Sequence, residues 1–255
     1  MGTAASAGRI WLCGDVHGRF DPLIEAVLRP PVSERPLAIV LLGDVQAQRP
    51  LEVALAPLLA HTAVWFIHGN HDTDSEADHD HLFGSALAGQ NLHGRVVEVA
   101  GVRIAGLGGV FRGQVWHPPS PWQFETARAY AAWAGRGSRW RGGLPLRHRS
   151  TIFPAEVQAL CRQRAEVLVT HEAPSSHPHG FAVIDDLARC LGVHRAFHGH
   201  HHDRRDYRAA WDRLGFEAHG VGLRGITALD GQVIRAGELD RVVHAQHIPP
   251  ETPAP

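Results

Sequence analysis

The chain contains no lysine: all 25 of its basic residues are arginine. That absence excludes a lysine nucleophile, a Schiff base and the phosphate-cradling lysine of a GK[ST] nucleotide site. Cysteine is scarce too. Cys13, Cys161 and Cys190 lie far apart with no CxxC pair, so neither a disulfide framework nor a thiolate zinc site is expected, and a reducing, cytoplasmic location is the expectation. The longest apolar run, Leu37 to Leu42, is too short to span a bilayer, and the N-terminus lacks the zones of a signal peptide, so no membrane partner is expected. Met1-Gly2 with Ser6 fits a loose myristoylation pattern, but no basic cluster follows to supply a second anchor. Charge of one sign is also missing, with 25 basic residues against 26 acidic ones in 255 residues. At 44% hydrophobic and 20% charged, this is an ordinary globular composition with ample length for a core.

What the chain has in plenty is histidine, 20 residues. The first seventy residues or so read as strand, helix, strand, helix, strand, with apolar runs at Ile10 to Cys13, Leu37 to Leu42 and Val64 to Ile67. Asp21-Pro22 marks a helix start with Asp as cap, and Leu51 to Ala60 is a second helix candidate. This alternation predicts βαβ units and a parallel sheet, with ligands beyond the carboxyl ends of the strands. Val96 to Val99 and Val102 to Ala105 predict a hairpin, so the sheet is mixed.

Residues 112–149 break the rhythm, with four tryptophans (Trp116, Trp122, Trp133, Trp140), seven arginines and a single acid, Glu125, a net charge of +6. They read as an insertion in a single domain of residues 1–248, either a satellite core with a solvated face or a cap that stacks bases and pairs phosphates. Pro154 to Arg164 and Ile184 to Leu191 are helix candidates, and Val167 to Thr170 and Arg195 to Phe197 are strands. Segments at Ala209 to Trp211, Glu217 to Gly220, Gly225 to Ala228 and Val233 to Ala236 resemble antiparallel strands closing the fold, and a frayed tail is expected from Pro249.

The strand ends carry the chemistry. Gly14-Asp15-Val16-His17-Gly18, Gly43-Asp44, Gly69-Asn70-His71-Asp72, Thr170-His171-Glu172 and Gly199-His200-His201-His202 each follow an apolar run. Oxygen and imidazole donors without thiolates suit Mn, Fe, Zn, Co or Ni, and disfavour an all-oxygen Mg or Ca site. Seven such donors exceed the needs of one ion, and a carboxylate shared between two ions accounts for the surplus.

In these five ordered blocks the sequence resembles the calcineurin-like metallophosphoesterase superfamily, whose pattern runs D-x-H, G-D, G-N-H-[DE], a lone His and G-H-x-H. The resemblance implies an α/β fold, a mixed β-sheet sandwich flanked by helices with a βαβ N-terminal half. It implies that Asp15, His17 and His202 hold one divalent cation, Asn70, His171 and His200 a second, and Asp44 bridges them. It further implies hydrolysis of a phosphomonoester or phosphodiester by in-line attack of a metal-bridging hydroxide, without a phosphoenzyme. His71 is the expected general acid, with Asp72 orienting its ring. Arg112, directly after Gly108-Gly109-Val110-Phe111, is the candidate substrate contact from the insertion. The acidic stretch from Asp72 to His81 is expected to be a solvated loop on the rim.

The chain departs from the protein Ser/Thr phosphatase branch. Gly43-Asp44-Val45-Gln46-Ala47-Gln48-Arg49 replaces G-D-x-V-D-R-G, and His68 stands where those enzymes have Arg, so two arginine phosphate clamps are absent or displaced. A nuclease, or a nucleotide or dinucleotide polyphosphate hydrolase of the same fold, stays open, with nucleic acid or a nucleotide as partner. So do a protein phosphatase and a noncatalytic scaffold.

Overall fold

A computed structural model describes residues 9–240. The expected tail from Pro249 and the Gly2 to Ser6 pattern lie outside the described residues. Among the described residues, ten strands form two five-stranded sheets. The first runs β10-β9-β1-β2-β3, built from Val233–Arg235, Ile226–Ala228, Ile10–Cys13, Ala38–Leu42 and Ala63–Ile67. In the second, β4-β5-β6-β7-β8, the strands are Arg95–Val99, Val102–Leu107, Val167–Thr170, Arg195–His198 and Glu217–Gly220.

β1, β2 and β3 are parallel, and so are β5 through β8. Antiparallel strands sit at the margins, where β9 and β10 extend the first sheet and the β4–β5 hairpin starts the second. The two sheets face each other across an apolar layer that includes Ile10, Leu12, Val40, Leu42 and Ile67 from one sheet and Ile104, Val167, Val169 and Phe197 from the other. This explains why β2 and β6 read as unbroken apolar runs rather than alternating ones: each is buried on both faces.

Helices cover the outer faces. α1 (Asp21–Leu28), α2 (Leu51–Ala54) and α3 (Glu76–Phe83) follow strands of the first sheet, and Leu23, Val27, Leu51 and Leu82 pack against it. α4 (Ala127–Ala134), α5 (Pro154–Cys161), α6 (Ala182–Leu191) and α7 (Trp211–Leu214) belong to the second sheet, with Tyr130, Leu160, Ile184, Leu187 and Leu214 in its outer core.

Several expectations are corrected. α2 is a single turn rather than a helix to Ala60, because Pro57 has no N–H to give and disfavours helical geometry before it. The cap of α1 is Phe20, with Asp21 already inside the helix. Residues 208–214 are helical rather than extended, stopped by left-handed Gly215 (φ 82°). That helical crossover lets β8 lie parallel to β7 instead of antiparallel. The acidic loop is in fact α3, whose start is capped by Ser75 accepting from the Asp78 N–H at 3.1 Å, with Glu76 and Asp78 favourably placed in the first turn. Finally, Cys161 and Cys190 form a disulfide between the ends of α5 and α6, Cα to Cα 5.0 Å, although spacing and an expected reducing location pointed to no disulfide framework; Cys13 is free and buried. Residue spacing carries no information on that pair, because the helices meet only through the packing of the second sheet's outer face. No helix among the described residues is long and apolar enough to cross a membrane.

Candidate metal centre

Parallel strands deliver their carboxyl ends to a common edge, so residues distant in sequence meet there. Asp15 follows β1, Asp44 follows β2, Asn70 follows β3, His171 follows β6, and His200 and His202 follow β7. Donor atoms of Asp15, His17, Asp44 and His202 lie within 4.8 Å of one another, as do those of Asp44, His171 and His200. Asn70 joins the second group, its Oδ1 lying 3.2 Å from His171 Nε2. Asp44 belongs to both groups.

The backbone is bent to achieve this. His17 (φ 44°), Asp44 (φ 46°), Gln46 (φ 41°), His200 (φ 71°) and His202 (φ 61°) all take the left-handed region, at a cost of order 1–2 kcal/mol each. Such conformations persist only where the surroundings over-determine them. Glycine is obligatory at two contacts: a Cβ on Gly69 would collide with Asp44 Oδ1, and one on Gly43 with His171 Nδ1.

Hydrogen bonds aim the donor atoms. His171 Nδ1 donates to the Leu42 carbonyl at 2.8 Å, so its Nε2 faces Asp44 Oδ1, 3.4 Å away, the nitrogen that a bound cation would take. His17 Nδ1 lies 2.5 Å from Gln46 Oε1, which can only accept from it, so His17 Nε2 also carries a lone pair. That atom faces His202 Nε2 at 3.0 Å. The Asp15 carboxylate accepts from the His200 N–H at 3.0 Å, and Asp44 Oδ1 from the His71 N–H at 2.9 Å.

Electrostatics follow from burial. Asp15 is wholly buried, and this together with the Asp44 charge pushes its pKa up to about 7 against the pull of His171. Burial opposes the charge of His171 but Asp44 and its hydrogen bond prevail, raising that imidazole to about 10. Asp44 itself is held below the usual carboxylate range, where His171 and the His71 N–H outweigh burial. Burial and the neighbouring His171 push His200 down to about 3. Two buried carboxylates and a set of converging imidazoles, with no arginine among them, form a donor set that a divalent cation would satisfy.

His71 sits at the exposed edge, its ring 5.6 Å from that of His17. Burial draws its pKa down, but the Asp74 hydrogen bond and the charges of Asp44 and Asp74 raise it above the ordinary value. The partner on Nδ1 is Asp74 Oδ2 at 2.5 Å, which corrects the expectation that Asp72 orients the ring. Asp72 is fully buried and accepts from the N–H groups of Gln46 and Gly69, both at 2.8 Å, tying the loop after β2 to the loop after β3. The short helical turn His71–Thr73 turns Asp72 inward and brings His71 and Asp74, three residues apart, to one side.

Residues that the sequence does not single out complete the site. Gln46 orients His17, and Glu172, 3% exposed, accepts from the Phe111 N–H at 3.0 Å and stands 4.0 Å from His200. Glu172, His200 and His201 form a third close group of donors. His177, 3% exposed, stacks on His201 at 3.8 Å and faces Asp203 at 3.4 Å, bracing the segment that carries His200 and His202. His198 is buried against Gly199 and Tyr207 and points away from the donors. Only the adjacency of Glu172 to His171 gave a signal in sequence.

The insertion leaves and rejoins the fold where Val110 pairs with residues 150–152. Trp116 enters the core, Trp140 is flanked by Arg141 and Arg149, and Trp122 and Trp133 are exposed. Arg112 lines a cleft of about 560 Å³ together with Asn70, Glu172, His200 and His201.

The sequence profile of calcineurin-like phosphoesterases matches residues 8–204, and the chain belongs to that family. An uncharacterized protein of Haemophilus influenzae is 42% identical over 226 residues, covering 88% of this chain and 96% of that protein. The crystal structure of TT1561 of Thermus thermophilus is similar in fold, with a TM-score of 0.55 at 13% identity over 89% of this chain and 98% of that one.

Proposed function

We propose that the protein is a phosphoester hydrolase that works with two divalent cations, one held by Asp15, His17, Asp44 and His202 and the other by Asp44, Asn70, His171 and His200. The observation that carries this reading is the shared position of Asp44, a buried carboxylate within ligating reach of both donor groups. The facing lone pair of His17 Nε2 and the ring nitrogen of His202 support it, because a cation between them satisfies both. Divalent cations held by these residues would lower the pKa of water toward neutrality and supply positive charge to the phosphoryl oxygens. Mn, Fe, Zn, Co and Ni all fit nitrogen and oxygen donors of this kind.

The chain's own groups do the rest. His71 Nε2 delivers the proton to the leaving oxygen, and Asp74, on the opposite nitrogen, fixes the ring and supports the imidazolium. Asp72 takes no part in proton transfer; it holds the loops of Asp44 and Asn70 in register. Gln46 fixes the tautomer of His17, and Leu42 that of His171.

The test is to strip the protein of metal and assay p-nitrophenyl phosphate and bis-p-nitrophenyl phosphate with Mn, Ni, Zn and Mg added singly. Turnover that requires added metal and falls about 100-fold or more in His71→Ala, with metal binding retained, is expected. Equal rates for wild type and variant remove His71 from the mechanism.

A further inference from the structure

Arg112 is a cation without a counter-ion. Among the described residues no carboxylate lies within 4.0 Å of its guanidinium, whereas Arg141, Arg208 and Arg224 each have one. Its Nη2 donates to Ser150 Oγ at 3.1 Å, and its Nε is buried with no partner. Ser150 is wholly buried and is fixed in turn by Thr73 Oγ1 at 2.7 Å, in the same turn that carries His71. The guanidinium is therefore held in place from behind by neutral hydroxyls, and burial together with the nearby Arg147 disfavours its charge more than Asp74, Glu172 and Asp44, at longer range, favour it. The one carboxylate in the cleft wall, Glu172, spends an oxygen on the Phe111 N–H.

The cleft runs from Asn70 and His200, at the second donor group, to Arg112, His117 and His179. Its volume of about 560 Å³ leaves space beyond the reacting phosphorus for a further group. A fixed arginine on the wall of that space, in ion-pair contact with no carboxylate among the described residues, matches the bidentate geometry of a phosphate.

We propose that Arg112 forms a subsite for a second phosphate, so that the preferred substrates are phosphoryl compounds whose leaving group itself carries a phosphate. This rests on the hydrolytic reading of the neighbouring metal centre and narrows its substrate class. Arg112 recognises the substrate and takes no part in bond breaking.

The test is calorimetric titration of the manganese-loaded protein, at fixed free manganese, with methylenebisphosphonate and with methylphosphonate. Binding is read directly, so the result does not depend on turnover; failure of the hydrolytic reading would show separately as no cleavage of chromogenic esters. Wild type is expected to bind the bisphosphonate at least about tenfold more tightly than the monophosphonate, as one charge-assisted pair provides. Arg112→Gln removes that preference and leaves methylphosphonate affinity within about twofold, which also reports that the centre is intact. Equal wild-type affinities for the two ligands, or a bisphosphonate preference that survives in Arg112→Gln, overturns the proposal.

Discussion

His71 Nδ1 and Asp74 Oδ2 lie 2.5 Å apart, three residues apart on one turn, so the imidazole at the edge of the metal centre is oriented by its own loop. This pair raises the His71 pKa. The protonated ring is present below that folded pKa and is lost as pH rises through it. Asp74→Asn is therefore expected to move the alkaline limb of the pH–kcat profile to lower pH and to reduce kcat about tenfold. A profile that does not move would separate Asp74 from the acid.

Asp72 behaves differently. It is buried and accepts two backbone N–H groups, so Asp72→Ala leaves both donors without a partner and should cost about 2–4 kcal/mol of stability, measured as a lower urea midpoint. Residual enzyme in Asp72→Ala should keep the wild-type alkaline limb. A displaced limb at unchanged stability would return Asp72 to the role of orienting residue.

The parallel N-terminal strands, the hairpin and the five strand-end blocks were legible because apolar runs bounded by Gly, Asp and His report burial and turns directly. Their meeting at one edge follows from parallel strands. What stayed hidden depends on side-chain direction within a turn: Asp72 and Asp74 flank a single residue, and only the helical turn decides which one faces His71. Gln46, His177 and the Cys161–Cys190 pair were hidden for a different reason, since each acts on a partner brought close only by tertiary packing. The end of α2 at Pro57 could have been read, because proline carries that signal in the sequence itself.

His148 gives a pH signature away from the metal centre. It is 5% exposed, bonded to Tyr130 and Thr151, and burial with the charges of Arg112 and Arg147 pushes its pKa down to about 4. The unfolded chain takes up a proton near pH 6.5 while the folded chain resists until about 4, so stability falls as pH drops through that window. In His148→Gln, urea midpoints compared at pH 7 and pH 4.5 should differ less than in wild type. An identical pH dependence would mean that the ring is not held neutral.

Arg141 forks onto Asp80 at 2.6 and 2.8 Å and reaches Glu76 at 3.2 Å, docking the insertion on α3, while Trp140 packs on His79. Arg141→Ala should speed proteolytic cleavage within residues 112–149 several-fold without lowering the melting temperature by more than about 2 °C, since exposed ion pairs contribute little to global stability. Unchanged cleavage would show that the tryptophans alone hold the segment.

The most direct measurement is the manganese content per chain, by equilibrium dialysis and elemental analysis, of wild type, His202→Ala and Asp44→Asn. The account predicts two ions in wild type, one in His202→Ala and severe loss of both in Asp44→Asn, because that carboxylate serves both donor groups. A single ion in wild type, or two retained in Asp44→Asn, would contradict it.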